Sequence, residues 1–228
     1  VAVNEPRKRP DGWLEERLEV RPLLAKLLDR KIPSGVSWFY TLGSATLLTF
    51  IILAVTGIFL SMNYSPSPDH AWDSIQYIND NVPLGSLIRG IHHWAAAAMV
   101  LLVFLHMLRV YFMGAYKYPR ELTWVVGVFL LLFVMGSGFT GYLLPWDQKA
   151  YWATTVGTRI AGAVPLIGGF LQKTLLGGPE MGAATLSRFY ALHMLVLPIL
   201  IALLSGAHLF MVIRQGISAP PGRKDWSS

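Results

Sequence analysis

The sequence predicts an all-α membrane protein: a transmembrane four-helix bundle with an N-terminal amphipathic helix in the membrane interface. Three observations carry this reading. The chain has 228 residues, 54% of them hydrophobic and only 14% charged, and its mean hydropathy of +0.47 is high for a soluble domain. Four stretches, at about 38–62, 90–113, 122–144 and 189–213, are long and apolar enough to cross a bilayer. The short alternating segments of a barrel are missing, and lipid offers no partner to unsatisfied backbone groups, so each stretch is expected to be helical.

Taken in order, residues 1–31 read as a cytoplasmic N-terminal segment. Between residues 12 and 31, Leu14, Leu18, Leu23, Leu24, Leu27 and Leu28 fall near helical spacing among charges, interrupted by Pro22. Such a segment either lies in the membrane interface or docks on a partner subunit. The first forty residues are charged and have no apolar core followed by small residues, so no cleavable signal peptide is expected. Residues 32–216 read as one four-helix domain and residues 217–228 as a cytoplasmic tail. The first span, from Trp38 to Met62, carries no charge; the second lies between Arg89 and Arg109, the third between Glu121 and Asp147, and the fourth between Arg188 and Arg214. The connection from about Asp147 to Ser187 is long, Gly-rich and too apolar for disorder, which favours a functional surface. Inside it, the apolar piece Ile160–Gln172 is short and broken by Pro165, Gly168 and Gly169. It reads as a helix at the membrane surface or packed in the loop.

A net charge of +6 raises the question of nucleic acid, but its distribution gives another answer. Eight of the nineteen Lys and Arg residues precede the first span, from Arg7 to Lys31. The connection Ser65–Ser86 has only acidic charges, Asp69, Asp73 and Asp80, whereas Lys117 and Arg120 occupy the second connection and Arg214, Arg223 and Lys224 follow the last span. The positive-inside rule then puts both termini and the second connection in the cytoplasm of a bacterial cytoplasmic or photosynthetic membrane. The excess charge is topological, and no nucleic-acid partner is expected.

Four of the six histidines form the functional constellation. His92 and His106 are 14 residues apart in the second span, and His193 and His208 are 15 apart in the fourth. At about 100° per residue the first pair lies roughly 40° apart and the second roughly 60° apart, so each pair shares one helix face. Their axial separation is about 21–23 Å, most of the hydrocarbon thickness. With both spans running from outside to inside, His92 meets His193 at an outer level and His106 meets His208 at an inner one. Two facing imidazoles at each of two depths suit two six-coordinate haems, with no open position for oxygen. His93 points about 100° away from His92, and His70 sits in a polar loop; neither is expected to ligate. With no cysteine in the chain, disulfides, thiolate metal sites and thioether-linked haem are excluded.

Glycines repeat the same register. Gly43 and Gly57 in the first span, and Gly127 and Gly141 in the third, are again 14 apart. Glycine weakens a helix by about 1 kcal/mol against Ala but lets a flat cofactor approach the backbone. Small residues also serve ordinary helix contacts; in register with the histidines, the cofactor reading is preferred. Arg89 lies three residues before His92 and Arg109 three after His106, where they are placed to neutralise haem propionates, or to anchor the helix ends by snorkelling.

The strings RGIHHW, LHMLRVY, GAYKYPRELTW, GFTGYLLPWDQ, RFYALH and IRQGIS resemble the N-terminal half of the cytochrome b family, over nearly the whole chain after about residue 12. The length and the 15-residue histidine step resemble its short "b-six" form, and RGIHHW and GFTGYLLPWD are similar to the menaquinol:cytochrome c reductases. The resemblance implies that His92 and His193 ligate a low-potential haem b on the outer side, and His106 and His208 a high-potential haem b on the inner side. It implies an outer quinol-oxidation site that includes Met135, Phe139, Tyr142, Ala153, Thr154 and Val156. Family members complete that pocket with a Pro-Glu-Trp-Tyr-like motif absent from this sequence. Arg214 matches a position facing the inner quinone site. Thr41 stands where short forms often carry a haem-attaching Cys, and Lys26 where plastid relatives carry an acidic residue.

The function so implied is di-haem electron transfer in a quinol:cytochrome c, or plastocyanin-type carrier, oxidoreductase that works by a Q-cycle coupled to proton translocation. The chain would be incomplete as an enzyme alone. Expected partners are a Rieske-type iron–sulfur protein, a cytochrome c-type subunit and a separate C-terminal cytochrome b subunit, in a homodimeric complex. The alternative is a di-haem b membrane anchor of a quinone-linked dehydrogenase or hydrogenase, which has no need of the LPWD segment. A non-haem transporter would leave four histidines unexplained.

Overall fold

The computed structural model describes residues 36–219 together with Arg17; the amphipathic segment 12–31, Lys26 and the tail from residue 220 lie outside the described residues. A 3₁₀ turn, Trp38–Thr41, leads into α1 (Leu42–Ser61). Then come α2 (Ala71–Asp80), α3 (Gly85–Phe112), α4 (Glu121–Leu143), α5 (Gln148–Gly162), α6 (Gly168–Leu176) and α7 (Ala183–Ala191). A π turn, Leu192–Val196, joins α7 to α8 (Leu197–Gln215). The described residues hold no strand.

Four helical runs have the length and apolarity to cross a membrane: Trp38–Ser61, Gly85–Phe112, Glu121–Leu143 and Ala183–Gln215. The second and fourth extend further than hydropathy implies, because their first turns carry polar residues such as Ser86, Arg89, Ser187 and Arg188. These spans are built inside out relative to a soluble bundle. Ile51, Ile58, Phe59, Leu101, Leu132 and Leu203 face outward, while Thr49, Thr56, Thr123 and Thr140 are buried. That distribution suits a lipid surround, in which apolar side chains have no reason to turn inward. Several buried hydroxyls are satisfied on their own helix: Thr49 donates to the Ala45 carbonyl at 2.8 Å and Thr56 to the Ile52 carbonyl at 2.7 Å.

Packing proceeds in two pairs, α1 along α3 and α4 along α8, while α3 and α8 themselves make little direct contact. The space between the two pairs is therefore where large groups can sit. Met99, Val103, Val134 and Ile201 close its middle, separating one end of the bundle from the other.

The connections hold more helix than the sequence reading expects. The first contains α2, whose Ala71, Ile75 and Ile78 are buried at helical spacing. In the long third connection, the piece Ile160–Gln172 is not one helix: it is divided between the end of α5 and most of α6 by a turn at residues 163–167. Pro165 is placed to break it, since proline cannot donate to the preceding turn. Asp147 caps α5 by accepting from the Ala150 amide at 2.8 Å. Tyr64 donates to the Leu144 carbonyl at 2.6 Å and stacks on Tyr190 at 5.5 Å, tying the first connection to the end of α4 and to α7.

Candidate functional site

His92 and His106 lie on α3, His193 in the π turn and His208 on α8. The rings of His92 and His193 have centroids 6.2 Å apart, and those of His106 and His208 6.4 Å apart. Early residue meets early and late meets late, so α3 and the π turn–α8 run are parallel. A metal–imidazole bond of about 2 Å, plus about 1.1 Å from ring nitrogen to ring centre, places two imidazoles on one metal about 6 Å centroid to centroid. Both pairs have this spacing. Among the described residues no cluster of three or more His, Cys, Asp or Glu occurs, so a bare ion would be short of protein ligands. A tetrapyrrole-bound iron, which needs few protein ligands, would be held by such a pair, His92 with His193 or His106 with His208.

Each of the four glycines faces one histidine. A Cβ built on Gly57 would lie 3.3 Å from His92 Cε1, and one on Gly43 3.1 Å from His106 Cε1. Across the bundle, a Cβ on Gly141 would lie 2.5 Å from His193 Cε1 and one on Gly127 3.5 Å from His208 Cε1. Hence α1 receives the α3 histidines, and α4 receives those of the π turn and α8. A methyl group at Gly141 would displace the ring; at Gly127 it would make ordinary contact.

Hydrogen bonds fix the tautomer at the His92–His193 level. His193 Nδ1 is 2.9 Å from the Ser137 carbonyl, which can only accept, so Nδ1 carries the proton and Nε2 keeps its lone pair. His92 Nδ1 is 2.9 Å from the Thr56 hydroxyl, whose own proton is directed to Ile52. Both rings thus present the nitrogen that a metal requires.

The 15-residue step between His193 and His208 is absorbed by the π turn, in which the Leu197 amide reaches back five residues to the Leu192 carbonyl. Pro198, with no amide proton to give the Met194 carbonyl, favours that widening. One residue is looped out, and the step acts as the 14-residue step of α3 does. The proline on an otherwise regular histidine face was the signal for it.

A cavity of about 370 Å³ adjoins His106 and His208, lined also by Gly43, Gly127, Arg109 and Arg120. Arg109 places its Cζ 3.8 Å from the Tyr40 ring centre, and its buried Nε and Nη2 have no hydrogen-bond partner among the described residues. Arg120 bonds the Gln215 and Ile217 carbonyls through Nη2, at 3.2 and 3.4 Å, and its Nε is buried without a partner among the described residues. Two guanidiniums whose buried N–H groups are unpaired among the described residues suit an anionic group in this cavity. Arg120 went unrecognised in the sequence; its sign is a cation at the N-cap of α4, where the helix dipole disfavours positive charge. Arg89 bonds Asn79 Oδ1 at 3.4 Å. Arg214 is exposed at the end of α8 and does not line the cavity.

The residues matched to an outer quinol site are only partly together. Phe139 packs edge-on against Phe189, 5.8 Å between ring centres, and against Gly157 of α5. Met135, Tyr142 and Val156 are exposed, and Ala153 is half-buried. Thr154 is fully buried, its hydroxyl without a partner among the described residues. Of the other two histidines, His93 meets Trp94 edge-on at 5.6 Å and His70 is exposed at the N-cap of α2.

The sequence matches the family described as Cytochrome b/b6/petB over residues 27–216. It is 46% identical over 216 residues to a menaquinol:cytochrome c reductase cytochrome b subunit of Geobacillus thermodenitrificans, covering 91% of this chain and 96% of the relative. With cytochrome b6 of Heliobacterium modesticaldum (strain ATCC 51547 / Ice1) the identity is 48% over 211 residues, covering 92% of this chain and 99% of that one. A solved structure described as "Hyperthermophilic respiratory Complex III" aligns with a TM-score of 0.87 and 33% identity, over 95% of this chain and 58% of its own.

Proposed function

We propose, since the chain belongs to the cytochrome b/b6 family, that it is the di-haem electron-transfer subunit of a quinol:cytochrome c, or plastocyanin-type carrier, oxidoreductase. The observation that carries this is the repetition of one motif at two depths: a histidine pair about 6 Å apart with a glycine behind each ring. Haem b, when bound, would supply a one-electron carrier. His92 and His193 would hold one haem and His106 and His208 the other. Arg109 and Arg120 would meet the propionates at the second level, and Arg89 is placed for the first.

The charge distribution supports a reading with the His92–His193 level on the outer side and both termini in the cytoplasm. Phe139 and its exposed neighbours Met135, Tyr142 and Val156 then form part of an outer quinol-oxidation surface, and Arg214 faces the inner quinone. The remainder of the outer pocket would come from a further segment or subunit. An iron–sulfur protein and a cytochrome c-type subunit are the electron acceptors this arrangement needs, in a complex that is homodimeric. Quinol oxidised outside and quinone reduced inside would translocate protons by a Q-cycle. The relatives' names support this reading over a dehydrogenase anchor.

The pairing is tested in the purified complex by haem content of single variants. His92→Ala and His193→Ala should each lose the same haem, and His106→Ala and His208→Ala the other, as judged by which redox-titrating optical band disappears. Loss of different haems within a pair would refute the assignment.

A further inference from the structure

We propose that Thr56 and Thr140 are positioning residues that hold the outer histidines in the Nδ1-protonated form and thereby set the outer site's reduction potential below the inner one. This rests on reading the histidine pairs as haem ligands.

The two levels look alike in their histidines and glycines but differ one residue earlier. Each outer glycine follows a threonine, in Thr56–Gly57 and Thr140–Gly141, whereas the inner glycines follow Leu42 and Val126. Both threonines are buried, 8% and 5% exposed, and each spends its hydroxyl proton on its own helix. Thr56 donates to the Ile52 carbonyl at 2.7 Å, and Thr140 to the Gly136 carbonyl at 2.9 Å. What remains for the histidine is an oxygen lone pair. It lies 2.9 Å from His92 Nδ1 and 3.5 Å from His193 Nδ1, the latter ring also bonding the Ser137 carbonyl at 2.9 Å. A back-bonded threonine can therefore only accept from the ring.

Among the described residues, no hydroxyl is hydrogen-bonded to His106 or His208 as Thr56 and Thr140 are to the outer rings. His208 Nδ1 is buried and faces the Thr123 carbonyl with no partner among the described residues inside hydrogen-bond geometry, and the residues that precede Gly43 and Gly127 are apolar. An acceptor on Nδ1–H makes the opposite nitrogen a stronger donor to a metal. Stronger donation favours the more highly charged ferric state and lowers the potential. An electron entering on the outer side then runs downhill to the inner one. The described residues thus place a threonine hydroxyl against each histidine of one level and against neither of the other.

The test is an optical redox titration of the purified complex carrying Thr56→Val and Thr140→Val, which remove the lone pairs at nearly constant shape. The outer midpoint should rise toward the inner one, by up to a tenfold change in the ferric/ferrous equilibrium, which is 59 mV for one electron. The inner midpoint should stay put, and Thr56→Ser with Thr140→Ser should restore the wild-type value. In the converse variant, Val126→Thr, a hydroxyl beside Gly127 should lower the inner midpoint alone. An unmoved outer midpoint in a double-valine complex that keeps both haems would overturn the proposal. If that variant does not assemble, an unmoved inner midpoint in Val126→Thr overturns it instead. A wild-type complex with fewer than two b-type haems per chain would overturn the underlying haem-pair reading, a separate and earlier failure.

Discussion

Replacing the histidine-facing glycines by alanine should produce a graded loss that follows distance rather than depth. An added Cβ would lie 2.5 Å from the facing ring at Gly141, 3.1 Å at Gly43, 3.3 Å at Gly57 and 3.5 Å at Gly127. Alanine stabilises a helix over glycine by about 1 kcal/mol, and overpacking a well-filled site costs about 1–3 kcal/mol. At Gly127 the contact is ordinary, so Gly127→Ala should be neutral or slightly stabilising. At Gly141 the ring must shift, so a net loss of up to about 2 kcal/mol is expected, roughly a 30-fold weaker hold on whatever His193 binds. The assay is haem per polypeptide in the purified complex, followed by the temperature at which the Soret band is lost. Gly141→Ala should lose one haem early and keep the other, with Gly43→Ala next and Gly127→Ala like the wild type. Equal losses at Gly141 and Gly127, or a larger one at Gly127, would refute the close-approach argument.

Further predictions follow from the inner cavity, the π turn and the outer connections. Arg120→Gln should lower the inner midpoint and leave the outer one alone, because a unit charge about 10 Å away at an effective dielectric of 20 contributes about 1.7 kcal/mol; equal shifts at both haems would contradict the placement of Arg120 beside His106 and His208. Deleting Leu195 together with Pro198→Ala should collapse the π turn to α-helix and keep both haems, whereas deleting Val100 from regular α3 should rotate His106 by about 100° and lose the inner one. Haem spectra of the two deletions decide this, and the reverse pattern would sink the phase argument. Burial, and then the nearby Tyr190, raise the Tyr64 phenol above the ordinary tyrosine value of 10.0. Above that pH the unfolded chain releases the proton more readily, so the contribution of Tyr64 is full below it and declines as pH rises further. Tyr64→Phe should flatten that alkaline decline in a thermal-melt series while costing about 1 kcal/mol at neutral pH through the lost bond to Leu144; an unchanged alkaline slope would contradict it.

The spans, the histidine pairs and their glycines were legible because they depend on helical period and hydropathy, which local sequence sets. His92 with His106, and Gly43 with Gly57, needed only a count of residues. The 15-residue step was harder: by period alone His193 and His208 diverge by about 60°, and only the π turn at Leu192–Val196 brings them into phase. Arg120 escaped notice because its role comes from the chain returning past it, so that its Nη2 meets the carbonyls of Gln215 and Ile217, 95 and 97 residues away. The break between α5 and α6 was visible in Pro165, but the helical content on either side was not, since its burial comes from contacts with distant elements. Neither could the sequence distinguish the enclosed Thr154 from the exposed Val156, two residues along the same helix.

Two haems per chain remain the centre of the account, and counting them tests it most directly. A redox-titrated optical spectrum of the purified complex, normalised to this polypeptide, should show two b-type haems with separate midpoints, and a denaturing gel should show no haem stain on a chain without cysteine. One haem per chain, or none, would contradict the four-histidine site and the electron-transfer function drawn from it.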